Sequence, residues 1–193
     1  MKLEKSFIIY DTEFTAWSGS QERNWNLPNE HRELVAIGAL KIIKQNNYYI
    51  IEDSLKILFI PKINNILSDY FVNLTSITNA EINKYGYDYQ SGIKLFLDFC
   101  GDLNMYSYGN DYHIFEENYN LYKLKNNLNK DKYKDIRPYF EKFNINTNNY
   151  SSGSLYKHFN IKMEKVQIHD PLFDCLSIFN TIKYLIINQN NQQ

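Results

Sequence analysis

Cysteine is scarce: Cys100 and Cys175 are the only two in 193 residues. They are too few for a disulfide framework, and neither has a metal-ligand partner nearby, so both are expected to pack as small apolar residues. An excess of charge is missing too. The formal net charge of -1 excludes the overall basicity of a protein that coats nucleic acid, while a local basic stripe or a bound cation could still attract a polyanion. Long hydrophobic runs are absent. The nearest, FNTIKYLIIN, carries Lys183, so no membrane span and no membrane partner are expected. At the N-terminus, lysines precede an apolar run that meets acids at once, which does not read as a signal peptide. A soluble, cytoplasmic protein is the expectation.

What is present supports a folded globule: 44% of residues are hydrophobic and 16% aromatic. The length suits one domain, placed at residues 1–188 with 189–193 as a polar tail. FIIYD reads as a first strand, ELVAIGALKII (33–43) as a second and NYYIIEDSLKILFIP (47–61) as a third, with Asn46 and Asn47 at the turn between the last two. Helical patterns follow. Thr78 and Glu81 fit a capping box, and a helix is expected to begin at Ser91, with Ile93, Phe96, Leu97 and Cys100 on one face. LNMYSYG reads as a short strand, and DYHIFEENYNLYKLKNN as a helix starting at Asp111. Lys123, Lys125, Lys130 and Lys132 are read as a solvated helix face rather than as phosphate contacts. Residues 144–154 look like a loop and SLYKHFNI like a short helix.

The last helix has the clearest start. Asp170 stands where an N-cap belongs and Pro171 at the first helical position. Leu172, Cys175, Leu176, Phe179, Ile182 and Ile186 then form the expected apolar face. Three strands followed by alternating helices and strand indicate an α/β fold with a mixed sheet, three antiparallel strands coming first.

The chemistry is concentrated in acids. Asp11 and Glu13 in YDTEF are two positions apart at the end of a strand, so both point to one face. Two such charges roughly 6.5 Å apart at an effective dielectric near 20 repel by about 2.5 kcal/mol. A divalent cation would relieve this, because hard ions bind through one or two carboxylates and leave positions for phosphate oxygens. Asp111 after the short strand and Asp174 one turn into the last helix occupy comparable places, where strand ends and helix starts converge. Four carboxylates meeting there call for two divalent ions, the arrangement suited to in-line displacement at phosphorus. His169, just outside the last helix, has the ordinary imidazole range needed to accept a proton near neutral pH. His31, His113 and His158 are read as surface or packing residues.

With YDTEF, YGND and HDPLFD in this order, the chain resembles the DEDDh exonucleases, the superfamily of RNase T and the proofreading exonuclease of bacterial DNA polymerase III, on an RNase H-like fold. RELVAIGAL and VNLTSIT are similar to further segments of that family. The resemblance implies a 3′-to-5′ exonuclease that releases nucleoside monophosphates from the 3′ end of single-stranded RNA or DNA. It implies Asp11, Glu13, Asp111 and Asp174 as ligands of two Mg2+ or Mn2+ ions, Asp11 bridging them, and His169 as general base. It also implies that Thr12, Glu13 and Phe14 line the pocket for the last nucleotide, and a possible homodimer. Trp17 in the loop TAWSGSQERNWNLPNEHRE is a candidate for stacking on a base. Two rivals stand beside this reading: a catalytically weak nucleic-acid-binding module of the same fold, and a haloacid dehalogenase-type phosphatase with Asp11 as nucleophile.

Overall fold

The computed structural model describes residues 2–164 and 167–190, the side chains of 189 and 190 excepted. The chain runs β1 (Ser6–Phe14), β2 (Leu34–Gln45), β3 (Tyr48–Leu58), α1 (Asp69–Thr75), α2 (Asn79–Tyr85), α3 (Tyr89–Cys100), β4 (Met105–Ser107), α4 (Tyr112–Leu121), β5 (Tyr133–Asp135), α5 (Arg137–Glu141) and α6 (Pro171–Asn190). Short 3-10 turns at Lys130–Lys132, Thr147–Asn149 and Ser152–Phe159 complete it. The helix α6 continues into the first two residues of the segment read as a polar tail, and 191–193 lie outside the described residues.

The strands form one five-stranded sheet, among the described residues, in the order β3-β2-β1-β4-β5. The first three strands are antiparallel, with Asp11 opposite Gly38 and Glu13 opposite Ala36. β4 joins β1 in parallel, and β5 joins β4 in parallel. The N-terminal meander is therefore as the sequence reads, and Asn46 at the β2–β3 turn adopts a φ of +56°. The strand β5 is not legible in the sequence: three residues, Tyr-Lys-Asp, carry too short a pattern to show a period.

The apolar run of β1 does not alternate because helices cover both faces of the sheet. Phe7 and Ile9 face a cluster with Ile178 and Ile182 of α6. Ile8 and Tyr10 face the other way, into a cluster with Phe96 of α3 and Phe115 of α4. The Tyr10 ring lies 5.7 Å from Phe96 and 5.8 Å from Phe115, centroid to centroid. All four β1 residues are fully buried, each contributing about 1.5–3 kcal/mol by area.

Several boundaries differ from the sequence expectation. The helix α3 starts two residues before Ser91, because Asp88 caps it by accepting from the Ser91 backbone N–H. The capping box of Thr78 and Glu81 is present as expected. α4 stops at Leu121, so the lysines at 123–132 lie beyond it rather than on a helix face; Lys132 pairs with Asp102 at 2.9 Å. On α6 the buried seam includes Phe173, Ile178 and Leu185, while Leu172, Leu176 and Ile186 are only partly buried. The cause is a second covered flank: the turn at Ser152–Phe159 packs along α6, the Ser177 hydroxyl accepting from the Tyr156 N–H at 3.3 Å.

Candidate active site

β1 and β4 run parallel, and both end at the same edge of the sheet. β1 delivers Asp11 and Glu13 there, and β4 leads through Gly109 to Asp111 at the start of α4. α6 approaches from the other face with Asp174 in its first turn. That approach is unusually close: a Cβ at Gly38, paired with Asp11, would collide with the backbone of Pro171 and Leu172. Only a glycine in β2 allows the helix N-terminus to sit on the strand next to the acids.

Asp170 caps α6, its Oδ1 accepting from the N–H groups of Leu172 at 3.0 Å and Phe173 at 3.2 Å. Its other oxygen pairs with Lys56 of β3, which ties the helix start to the sheet. Next to it His169 takes a left-handed backbone with a φ of +68°, a conformation that costs a non-glycine residue on the order of 1 kcal/mol or more. The His169 N–H donates to Asp174 Oδ1 at 3.3 Å, and its Nδ1 lies 3.9 Å from Glu13 Oε1.

Glu13, His169 and Asp174 each offer a ligand atom, and these atoms all lie within 4.8 Å of one another. Asp11 and Asp111 stand outside that set. Asp11 shares its electrostatics, and Asp111 accepts a hydrogen bond from Thr12 Oγ1 at 3.1 Å. Burial, then the neighbouring Asp174 and Asp111, lifts both the Asp11 and Glu13 carboxyls well above the ordinary carboxylate range. Burial pushes Asp111 up to about 7, against the Thr12 hydrogen bonds. Asp174 is pushed up to about 6 by burial, opposed by the Ser152 hydroxyl and by the N–H groups of His169 and Gly153. Burial lowers His169, which leaves the imidazole neutral and able to accept a proton at neutral pH.

Among the described residues, the cations that oppose these shifts are already paired: Lys56, which acts on Glu13, with Asp170, and Arg137, which acts on Asp111, with Asp135. Carboxylate oxygens beside one imidazole form a donor set that a divalent cation fits.

Two residues read from the sequence only as loop prove to hold the site. Ser152 Oγ donates to Asp174 Oδ2 at 2.9 Å. Gly153 lies so near that any Cβ there would collide with the Asp174 carboxylate. The serine and glycine of SSGS resemble ordinary loop composition, so nothing in the pattern marks them. Gly38 did have a signal, the glycine inside an otherwise apolar strand.

Asp11, Glu13, Asp174 and His169, but not Asp111, open onto a cleft lined also by Thr12, Phe14, Ala16, Gln21, Trp25, Tyr70, Phe71 and Leu74. The Phe14 and Trp25 rings lie 5.5 Å apart, centroid to centroid, tilted by 58°, and the Trp25 Nε1–H donates to the Thr15 carbonyl at 3.0 Å. Trp17, the tryptophan singled out in the sequence, lines a separate hollow with Leu27, Pro28, Asn64 and Ile66. The loop places Trp25 at the acids, a choice that depends on its turns and not on residue type.

The RNase T exonuclease family model matches residues 8–181. Among solved structures, the nuclease domain of 3′hExo, a DEDDh family member bound to rAMP, is 18% identical, with 95% of this chain and 92% of that one covered and a TM-score of 0.78. A 3′-exonuclease described in 3′-end specific recognition of a histone mRNA stem-loop is 16% identical over 97% of this chain and 84% of its own, with a TM-score of 0.78. The zinc-bound E. coli exonuclease I–ssDNA complex is 13% identical, with 97% of this chain and 42% of that one covered and a TM-score of 0.66. No curated protein matches the chain in sequence. At these identities the structural likeness speaks for the RNase H-like fold expected from the sequence.

Proposed function

Because the chain belongs to the RNase T exonuclease family, and is thus a nuclease that acts on nucleic acid, we propose that it hydrolyses single-stranded RNA or DNA from the 3′ end and releases nucleoside monophosphates. The observation that carries this reading is the meeting of Glu13, His169 and Asp174 at one end of the sheet, beside buried Asp11.

Asp11, Glu13, Asp111 and Asp174 would hold two divalent ions, Mg2+ or Mn2+, whose charge would offset that of the phosphate and of the leaving oxygen. The chain's own residues supply the rest. His169, neutral because it is partly buried, takes the proton of the attacking water as the water oxygen bonds to phosphorus. The bond from phosphorus to the preceding 3′ oxygen breaks, and that oxygen takes a proton from solvent water to become the new 3′ hydroxyl, while the His169 imidazolium returns its proton to solvent. The hydrogen bond from the His169 N–H to Asp174 and the Lys56–Asp170 pair fix the loop that carries the base. Phe14 and Trp25 line the nucleotide side of the cleft, and Thr12 acts by orienting Asp111.

Family membership removes the phosphatase alternative. No helix among the described residues is long and apolar enough to cross a membrane; a cytoplasmic site of action remains part of the proposal. Nothing among the described residues supports the homodimer, and none is proposed.

The test is timed digestion of matched 5′-labelled RNA and DNA oligonucleotides, with Mn2+, with EDTA and with Asp11→Ala protein. The expected result is a ladder shortening from the 3′ end, lost in EDTA and in the variant. Equal digestion of a 3′-blocked oligonucleotide would overturn the direction. Tight binding without products under every metal condition would favour the binding-module reading.

A further inference from the structure

The 15–32 loop that carries Trp25 ends in Arg32, whose side chain and backbone are both immobilised by α4. The guanidinium makes a two-point ion pair with Glu117, its Nε 2.8 Å from Oε2 and its second nitrogen on Oε1. Fully buried Asn118, the next residue of α4, donates to the Arg32 carbonyl at 2.8 Å and accepts from the Leu34 N–H at 3.0 Å. Held in this way, the guanidinium carbon lies 5.3 Å from the centre of the Trp25 ring and 6.0 Å from that of Phe14. Both rings line the cleft that contains Asp11 and Glu13.

Trp25 needs such support. It and Asn24 have φ angles of +51° and +52°, and a bulky residue in the left-handed region persists only where its surroundings hold it. The ring has one hydrogen bond, to Thr15; the planar cation supplies a further contact, one that a lysine ammonium would not reproduce at a paired and stacked position.

We propose that Arg32, clamped by Glu117, is a positioning residue for substrate: it braces the Phe14–Trp25 wall and so sets affinity for the terminal nucleotide rather than the rate of hydrolysis. This rests on the exonuclease reading. Because α4 begins directly after Asp111, the same helix fixes both that acid and the brace, and thereby the offset between phosphate and base.

The experiment uses the full chain in a Trp17→Phe background, where Trp25 is the only tryptophan, since the sequence has two. Glu117→Gln and Arg32→Lys are compared with the parent by oligonucleotide digestion in Mn2+, by Trp25 emission and anisotropy, and by Trp25 quenching with unlabelled oligonucleotide in EDTA. Part of a base-stacking contribution is at stake, so KM should rise about fivefold with kcat within about twofold. Trp25 anisotropy should fall, and the quenching titration should weaken in parallel. Arg32→Glu combined with Glu117→Arg remakes an ion pair without a guanidinium on the loop; it should restore thermal stability and leave KM raised. Unchanged KM and unchanged Trp25 signals in both single variants would overturn the proposal, as would full recovery of KM in the exchanged pair. An inactive parent would instead fail the exonuclease reading, and the quenching arm would still decide whether the brace governs binding.

Discussion

On one side of the cleft stand side chains delivered by the sheet and by α6; on the other stand side chains delivered by the loop between β1 and β2. Asp11, Glu13 and Asp174 are each at most 8% exposed, fixed by strand register, by a capped helix and by two glycine contacts. Phe14 and Trp25 are partly exposed, and Trp25 keeps an unfavourable backbone angle beside Arg32, whose own partners on α4 are distant in sequence. The acidic side therefore behaves as part of the fold, and the aromatic side as an attachment to it. Perturbing the first should change chemistry and metal affinity, and perturbing the second should change substrate affinity.

Apart from loss of a proposed metal ligand such as Asp11, the largest expected effect comes from Gly153→Ala. Its φ is not in the left-handed region, so the methyl group is tolerated by the backbone and acts only by displacing the Asp174 carboxylate. Outer contacts of this kind change metal affinity or activity about 10–100-fold. Mn2+ titration by calorimetry should show that loss, with a melting temperature in EDTA close to that of the parent; a parental Mn2+ affinity would mean that Asp174 is not held from this side. The same comparison applies to pH. Asp111 and Asp174 have raised values, about 7 and about 6, in the fold. The metal-free fold therefore binds protons more tightly than the unfolded chain, and stability is lost as pH rises from about 4 through these values. His169, lowered by burial, pulls the other way but is a single group. Melting in EDTA should fall between pH 5 and pH 8, and Mn2+ should raise it more at pH 8. A rise in EDTA over that interval would contradict close packing of the acids.

On the aromatic side, Trp25→Ala should raise KM by roughly 5- to 100-fold, the worth of one base–aromatic stack, while Trp17→Ala should have the smaller effect. The reverse order in steady-state assays would reassign the wall to Trp17. The smallest change is expected for Asp170→Asn. Asparagine caps a helix as well as aspartate, and the pair lost with Lys56 is partly solvent-exposed and worth about 1 kcal/mol or less. Digestion rates should stay within a few fold, and loss of activity in a folded variant would place Asp170 among the reacting groups.

The same contrast decides what could be read from residues alone. A two-residue period puts Asp11 and Glu13 on one face, and Asp-Pro opens a helix one turn before Asp174; both rules are local, and both hold in the structure. The three antiparallel strands follow from equally local patterns. The partners of Arg32 lie 85 and 86 positions away on α4, and Ser152 meets Asp174 across 22 residues; no periodicity encodes such pairings. Trp17 and Trp25 have the same chemistry, and only the turns at Gly19, Asn24 and Trp25, each with positive φ, determine which one reaches the acids.

The position of β1 as the middle strand of five has a consequence for the lifetime of the site. Its inner amides should exchange with deuterium only when the entire domain opens, since both strands it pairs with, β2 and β4, are themselves interior to the sheet. The carboxylates on this strand thus survive every partial opening that leaves the sheet intact, and the aromatic wall stays in place only as long as Arg32 remains held on α4.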